Sequence, residues 1–261
     1  MDLNRTYMQA RDLFRVRAHL GLVDFLVQRL ARRLPAPAPA LAERLHARLA
    51  AHTDERTLAF DRQYGVETFT RFDVAVAEGV PVEELAWGYG PINQDFFREI
   101  VRSIPVDLST FDFVDVGAGK GAAVMLASEF GFRRSYAVEL DAGLIELAKV
   151  NVAKYEAATG RSIPVSYVHA DFFRWEHPGD AALFFLNNPF PEALGVRAVE
   201  HLEASVRERP RRALLVYRKA PAAVGEALHR SREWVPLRLT PYWRVYASDR
   251  KSTRLNSSHR L

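Results

Sequence analysis

The chain has 261 residues, 48% of them apolar, and a formal net charge of +4, a size that suits one full core with an accessory region. The absence of cysteine excludes disulfides, thiolate nucleophiles and cysteine-ligated metals, and the eight histidines lack metal-ligand spacing, so we expect no metal. No apolar run approaches the roughly 20 residues that cross a bilayer, and the N-terminus lacks a signal-peptide core, so we expect a cytoplasmic protein that binds no membrane.

The N-terminal third is predicted to be helical. Apolar residues recur at helical spacing from Leu13 to Val27, a Pro-Ala linker follows at residues 35–39, and a second helical pattern runs from Leu41 to Leu49. Arginines surround the first helix. They are compatible with a substrate-binding cap, a dimerisation element, a membrane-surface helix or a small subdomain packed on a sheet. Asp12 and Asp24 interrupt the basic face and argue against the membrane-surface role.

A glycine-rich turn follows the first predicted strand and precedes an apolar helical pattern, Ala122 to Phe130. Glycines tolerate positive φ and carry no Cβ, so a ligand can lie against bare backbone there. Asp115 at the start of the turn would disfavour a phosphate and attract an ammonium group. The pattern G-x-G-x-G differs from the dinucleotide pattern G-x-G-x-x-G, although Ala122 passes as the last small residue. A glycine turn without a ligand remains the alternative. The small residues of the turn are Gly117, Ala118, Gly119 and Gly121.

The second predicted strand, Arg134–Glu139, ends in an acid that lies 24 positions after Asp115. This spacing suits a βαβ unit whose two strands end side by side. A carboxylate at that point can accept hydrogen bonds from both ribose hydroxyls of NAD or of S-adenosylmethionine. The alternative is a solvated strand end. A helix is predicted from Ala142 to about Ala158.

The third predicted strand, Pro164–Ala170, leads into Asp171 and Phe172. An acid followed by an aromatic residue can bind the amino group of an adenine and cover its ring. The alternative is a capping Asp beside core phenylalanines. His169 is interpreted as a packed strand residue rather than as a ligand or a base.

The fourth predicted strand, Ala181–Leu186, is apolar throughout, as a central parallel strand is. It delivers Asn187, Asn188, Pro189 and Phe190 to the carboxyl edge of the sheet, where ligands bind in open α/β folds. Two amides beside a proline are poor strand residues. Their position therefore favours a functional role over a structural turn.

The end of the chain predicts a fifth strand, Ala213–Tyr217, and then two strands joined by Thr240-Pro241 as a hairpin, Trp234–Leu239 and Tyr242–Ala247. Residues 251–261 have no periodicity and supply three of the four net positive charges. We predict that this tail is non-native or disordered. Without it the chain is nearly neutral, which gives no support to a nucleic-acid partner.

Four landmarks follow one another along the chain: the glycine-rich turn, Glu139, the pair Asp171-Phe172 and the segment 187–190. In this order they resemble the class I S-adenosylmethionine-dependent methyltransferases. The resemblance implies an α/β fold with a Rossmann-like, doubly wound, seven-stranded and mostly parallel sheet, closed by a C-terminal antiparallel hairpin. It implies that Asp115 and the turn at residues 117–121 hold the methionine portion of S-adenosylmethionine and that Glu139 holds the ribose. The residues implied for the adenine are Asp171 and Phe172, and those implied to close over the methionine end are Tyr89 and Asn93.

Two subgroups share further features with this chain. Amino-group methyltransferases carry Asn/Asp-Pro-Pro-Tyr/Phe at the acceptor edge, and here Asn188 replaces the first proline. The disruptor-of-telomeric-silencing type of lysine methyltransferase has a paired Asn-Asn there and an upstream Tyr-Gly, similar to Tyr89-Gly90, although Pro91 replaces the acid that follows. Residues 61–68 also resemble a segment of uncharacterised bacterial methyltransferases.

We therefore predict a methyltransferase that uses S-adenosylmethionine and acts on a nitrogen, a protein lysine being preferred, with Asn187, Asn188 and Phe190 facing the acceptor. The alternatives are RNA, DNA or a small molecule as acceptor, a cofactor-binding module without turnover, and a nicotinamide-dependent oxidoreductase. The predicted organisation is a helical region at 1–59, a methyltransferase domain at 60–250 and a tail at 251–261. The oligomeric state is left open.

Overall fold

The computed structural model describes residues 55–69 and 90–248. The predicted N-terminal helices, Tyr89 and the tail lie outside these ranges. The division into three segments therefore stays a prediction. None of the described helices is long and apolar enough to cross a membrane.

Seven strands form one sheet in the order β3-β2-β1-β4-β5-β7-β6. All neighbouring strands are parallel except that β7 runs antiparallel to both β5 and β6. The predicted seven-stranded, mostly parallel sheet with its closing hairpin is confirmed. The strands are β1 (Asp112–Val116), β2 (Ser135–Glu139), β3 (Val165–His169), β4 (Ala181–Leu186), β5 (Arg212–Arg218), β6 (Trp234–Leu239) and β7 (Trp243–Ser248).

Helices cover both faces of the sheet, as the doubly wound class requires. Helices α1 to α3 contribute to the apolar cluster on one face, and α4 and α5 contribute to the cluster on the other. Residues 55–64 are also helical. The helices are α1 (Gln94–Arg102), α2 (Ala122–Ala127), α3 (Ala142–Thr159), α4 (Glu192–Glu208) and α5 (Ala222–Arg230).

The strand sequences match their places in the sheet. Every residue of β1 and β4 is buried, because these central strands have helices on both faces. The edge strand β6 accepts Pro236 beside an irregularity of the ladder between Pro236 and Arg238, where a missing backbone donor is tolerated. The order of strands reverses between β1 and β4, and ligands of open α/β sheets bind at such a switch point.

Polar side chains cluster at the opposite, amino edge of the sheet, where His177 and Asp112 are buried and Arg133 is exposed. His177 is 2% exposed, and its Nε2 lies 3.0 Å from Oδ2 of Asp112. Arg133 donates from Nε to Oδ1 of the same carboxylate at 3.1 Å. Burial lowers the pKa of His177 and outweighs the opposing effect of Asp112. The native state therefore favours the neutral imidazole.

We expect His177 to make the stability of the fold depend on pH. Its native pKa lies below that of the unfolded chain, so the unfolded state binds the extra proton. The free energy of unfolding should fall as the pH drops below about 6.5, by at most about 1.4 kcal/mol per pH unit from this group. Urea unfolding of wild type, His177→Asn and the exposed-site control His169→Asn between about pH 5.5 and pH 8 measures the effect. An equal slope in the His177→Asn variant would contradict it.

Candidate functional site

The glycine-rich turn follows the carboxyl end of β1 and is hydrogen-bonded to the carboxyl end of β2. Gly117, Gly119 and Gly121 all have positive φ, at 75°, 53° and 82°. The N–H groups of Gly117 and Ala118 both donate to the carbonyl of Val138, at 2.9 and 3.1 Å. The turn therefore needs glycine for its backbone conformation, as the sequence pattern predicted.

Two of these glycines are also required by close packing. A Cβ on Gly117 would lie 2.8 Å from the Cβ of Pro189, and one on Gly121 would lie 3.2 Å from the Cβ of Ala148. Gly117 thus brings the turn against the segment that follows β4, and Gly121 brings it against α3. We expected the bare backbone of the turn to face a ligand, but at Gly117 and Gly121 it packs against Pro189 and Ala148 instead.

Replacing Gly117 by alanine should destabilise the protein more than replacing Gly131. Both residues have positive φ, at 75° and 72°, but a Cβ on Gly131 meets nothing within 4 Å. The shared left-handed strain costs about 1–2 kcal/mol, and only Gly117→Ala adds a contact with Pro189. Urea unfolding of the two variants separates these effects. Equal losses of unfolding free energy would show that the contact with Pro189 is unimportant.

Glu139 braces the turn from the end of β2. Its Oε2 accepts from the N–H of Gly119 at 2.9 Å, and its Oε1 accepts from Leu140 and Asp141 at 2.7 and 3.1 Å. A carboxylate offers about four acceptor positions, so backbone donors occupy most of them. The predicted contact with a ribose remains a prediction and would share these oxygens with the turn.

Asp115 is a buried carboxylate at the end of β1. It is 3% exposed and stands in register between Ala137 of β2 and Phe185 of β4. Burial, and then the charge of Glu139, raises its pKa well above the usual range. Within residues 55–69 and 90–248, no cation forms an ion pair with Asp115. A ligand that brings an ammonium group would relieve this electrostatic cost.

Hydrogen bonds and an ion pair connect residues 61–69 to α3 and to the glycine-rich turn. Asn151 of α3 accepts from the N–H of Glu67 at 2.9 Å and donates to the carbonyls of Glu67 and Lys120, both at 3.0 Å. The ammonium of Lys120 lies 2.7 Å from the carboxylate of Glu67. Asp61 closes the segment by accepting from Thr68 and from Phe69. The segment that resembled other methyltransferases therefore positions the turn.

Asp171 and Phe172 take structural positions in this fold. Oδ1 of Asp171 accepts from the N–H of Phe173 at 3.0 Å and caps a short 3₁₀ turn. Phe172 is buried, with its ring centroid 6.0 Å from that of Phe190. These contacts fit the alternative of a capping acid beside core phenylalanines, and a role toward adenine stays a prediction. His169, expected to be packed, is instead exposed, with its Nε2 3.1 Å from the carbonyl of Leu140.

Asn187 links residue 90 to the end of β4, whereas Asn93 caps α1. Asn93 is buried and caps α1, its Oδ1 accepting from Asp95 at 2.9 Å. Asn187 donates from Nδ2 to the carbonyl of Gly90 at 2.9 Å and accepts at Oδ1 from Arg218 at 2.8 Å. Both ends of the Asn187 amide are therefore engaged. The predicted contact of Asn93 with the cofactor remains a prediction, and Tyr89 lies outside the described residues.

Asn188 differs from Asn187 in both backbone and side chain. Its φ is 55°, a left-handed conformation that residues other than glycine adopt rarely and that is concentrated at functional sites. Its Oδ1 is buried and has no hydrogen-bond partner among the residues that the structure describes. An unpaired buried acceptor costs about 1–3 kcal/mol, so a ligand that donates a hydrogen bond there would stabilise the site. Phe190 is half-buried, with its ring 5.4 Å from that of Phe173.

The sequence interpretation missed Arg218, the last residue of β5. Its guanidinium bonds to Asn187, and its Cζ lies 5.6 Å from the ring centroid of Phe96. Burial lowers its pKa to about 10. A basic residue at the carboxyl end of a predicted central strand was the available signal, because that edge carries the ligand sites of open sheets.

No protein-family model matches the chain, and no curated protein matches it. Among solved structures, it is similar to the magnesium protoporphyrin IX methyltransferase of Synechocystis PCC 6803 with bound S-adenosylmethionine, at 14% identity and a TM-score of 0.45, over 70% of this chain and 99% of that one. It is also similar to an RNA methyltransferase from Salinibacter ruber in complex with S-adenosylhomocysteine, at 18% identity and a TM-score of 0.43, over 61% and 92%.

A third similar structure is a human methyltransferase 10 domain containing protein, at 12% identity and a TM-score of 0.47, over 76% of this chain and 97% of that one. Similarity at this level assigns neither substrate nor family. The fold assignment rests on the order and register of the strands. The described chain is thus a seven-stranded Rossmann-like domain with a glycine turn, two acids and an asparagine pair at its carboxyl edge.

Proposed function

We propose that the protein is a methyltransferase that uses S-adenosylmethionine and transfers the methyl group to a nitrogen atom. One observation carries the proposal: the turn after Asp115 packs directly against the segment after β4, where Asn188 holds an unpartnered amide oxygen. Donor and acceptor sites would then be adjacent at the switch point of the sheet.

The residues present fit the donor. Asp115 is buried without a paired cation among the described residues, so it suits the ammonium of the methionine portion. S-Adenosylmethionine supplies an activated methyl group on a sulfonium, and the transfer is an in-line displacement. The protein then has to bind and orient the two reactants and to exclude water. Alignment of the reactants supplies most of the rate.

The contacts support different roles for the two asparagines. Asn188 has the free oxygen, so we assign to it the hydrogen bond from the acceptor N–H. A neutral amide suits this role, because a carboxylate would favour the protonated and unreactive amine. Asn187 is held at both ends and serves as a positioning residue. Phe190 would pack on the acceptor or face its developing positive charge.

The charge of Arg218 favours the reactive form of an amine at this edge. It is the larger cause of the lowered pKa of the neighbouring Lys219, and burial is the second. An acceptor amine placed nearby would meet the same field and lose its proton more readily. A protein lysine, which the resemblance implied, is one acceptor of this kind, and nucleic-acid bases and small molecules are others.

Labelling of a cell lysate tests the class of acceptor. The full-length protein is incubated with the lysate and S-adenosylmethionine that carries a radioactive methyl group, and the products are digested with protease or with nuclease. We expect transfer of label. Release of the label by protease identifies a protein acceptor, release by nuclease identifies a nucleic acid, and label that neither digestion is needed to release identifies a small molecule. If the wild type transfers label to none of the fractions, the proposal is contradicted.

A further inference from the structure

We propose that Arg218, with Trp243 and Lys219, forms an oxyanion site that binds a carboxylate or phosphate group of the acceptor molecule. The assignment to the acceptor rests on the proposed function, whereas the anion site itself rests on the geometry. Arg218 and Trp243 pair where β5 ends beside β7, next to Asn187, and Lys219 follows Arg218 in the chain.

Arg218 is a half-buried cation with spare donors. A guanidinium carries five N–H groups in a planar fork, and among the described residues Arg218 makes only the bond from Nη1 to Asn187, at 2.8 Å. Within the part of the chain that the structure describes, no carboxylate forms an ion pair with Arg218. A desolvated charge without a counter-ion is costly, and the Phe96 ring, 5.6 Å from Cζ, compensates only in part.

Trp243 supplies an independent observation at the same place. It lies directly opposite Arg218 in the antiparallel ladder between β5 and β7, so the two side chains share one face of the sheet. Trp243 is buried, and its Nε1 has no acceptor among the residues that the structure describes. Arg218 thus has unused donors, and the residue opposite it in the ladder has a donor that also lacks an acceptor there.

Lys219 adds a second positive charge. It follows Arg218 in a left-handed conformation, with φ of 50°, and its N–H donates to the carbonyl of Tyr242 at 2.7 Å. The side chain of Lys219 is exposed, and the charge of Arg218 lowers its pKa. Because the fork of Arg218 matches the oxygens of a carboxylate or a phosphate, an oxyanion bound there would satisfy the spare donors of Arg218 and Trp243, with the charge of Lys219 nearby in the chain.

The position of this site indicates what carries the anion. Arg218 bonds to Asn187, and Asn187 precedes Asn188, the residue assigned to the acceptor nitrogen. An acceptor anchored through its anionic group would present its nitrogen at the neighbouring position. This arrangement favours an acceptor that carries a carboxylate or phosphate over a positively charged peptide.

Calorimetric titration of the full-length protein with inorganic phosphate, and separately with acetate, tests the site. We expect wild type to bind at least one of the two probes and Arg218→Met to bind it at least tenfold more weakly. Arg212→Met is the matched control, because Arg212 begins the same strand, is exposed and lies 4.8 Å from the Phe111 ring. It should bind the probe like wild type. The probe that binds distinguishes a phosphate site from a carboxylate site.

Two further variants keep the test decisive if Arg218→Met unfolds. Arg218→Lys retains the charge but loses the fork, and Trp243→Phe retains the ring but loses the N–H. Both should bind the probe several-fold more weakly than wild type. Absence of binding to wild type, or equal affinity in these variants, would overturn the proposal. If the probe binds through Arg218 while S-adenosylmethionine does not bind at all, the anion site stands and the proposed function fails.

Discussion

Replacing Asn188 by alanine is expected to slow methyl transfer by about 100-fold while leaving the affinity for S-adenosylmethionine unchanged. The reason is that the variant removes the free amide oxygen that we assign to the acceptor N–H. Single-turnover transfer rates and calorimetric cofactor affinities measure the two effects separately. Full activity in both Asn188→Ala and Asn187→Ala would show that the assignment of the acceptor edge is wrong.

Asn188→Gly is the matched control for backbone strain. Asn188 has a φ of 55°, so alanine adds left-handed strain that glycine does not. If the amide oxygen acts on the acceptor, both variants lose turnover to a similar extent. If glycine keeps full activity, the loss in Asn188→Ala came from the backbone conformation.

Asn187→Ala should behave differently, because both ends of its amide are bonded within the protein. We expect it to weaken anion binding at Arg218 together with turnover, whereas Asn188→Ala should leave anion binding unchanged.

The affinity for S-adenosylmethionine is expected to rise with pH up to the raised pKa of free Asp115 and to lose this dependence in Asp115→Asn. Burial and the charge of Glu139 raise the pKa of Asp115 in the free protein. An ammonium group bound beside it favours the carboxylate and lowers that pKa again. Binding then releases a proton wherever the pH lies between the bound and the free pKa, so higher pH favours the complex.

Calorimetry in buffers of different ionisation enthalpy counts the released proton. Wild type should release a fraction of a proton that declines as the pH passes the raised pKa of free Asp115, and Asp115→Asn should bind more weakly and release none. Glu139→Gln removes the neighbouring charge that contributes to the raised pKa and leaves Asp115 in place, so its proton release should persist and shift to lower pH. A wild type whose affinity is independent of pH would contradict the role of Asp115.

Local sequence patterns predicted the strands of the sheet well, because the apolar residues of each short strand can be recognised without reference to the rest of the chain. The fully apolar run of β4 and the strand before the glycine turn are the runs that a buried parallel sheet requires. Helix ends were predicted less well. The pattern extended the helix after the turn to Phe130, but it ends at Ala127, where Ser128 to Phe130 bond three residues back instead of four.

The site was predicted only in part, because its remaining contacts join distant positions. Asn187 meets Gly90 across 97 positions, and Lys120 meets Glu67 across 53. No local pattern encodes such pairs. Sequence reasoning therefore placed both asparagines at the acceptor edge but did not distinguish their roles, and it passed over Arg218, whose pairing with Asn187 and Trp243 no local pattern encodes.

Calorimetric titration of the full-length protein with S-adenosylmethionine, and in parallel with NAD, tests the central claim most directly. The buried acid at the glycine turn and the adjoining asparagine edge predict that S-adenosylmethionine binds and that Asp115→Asn weakens it. They predict no measurable binding of NAD. Binding of NAD without binding of S-adenosylmethionine would contradict the account and indicate a nicotinamide-dependent enzyme.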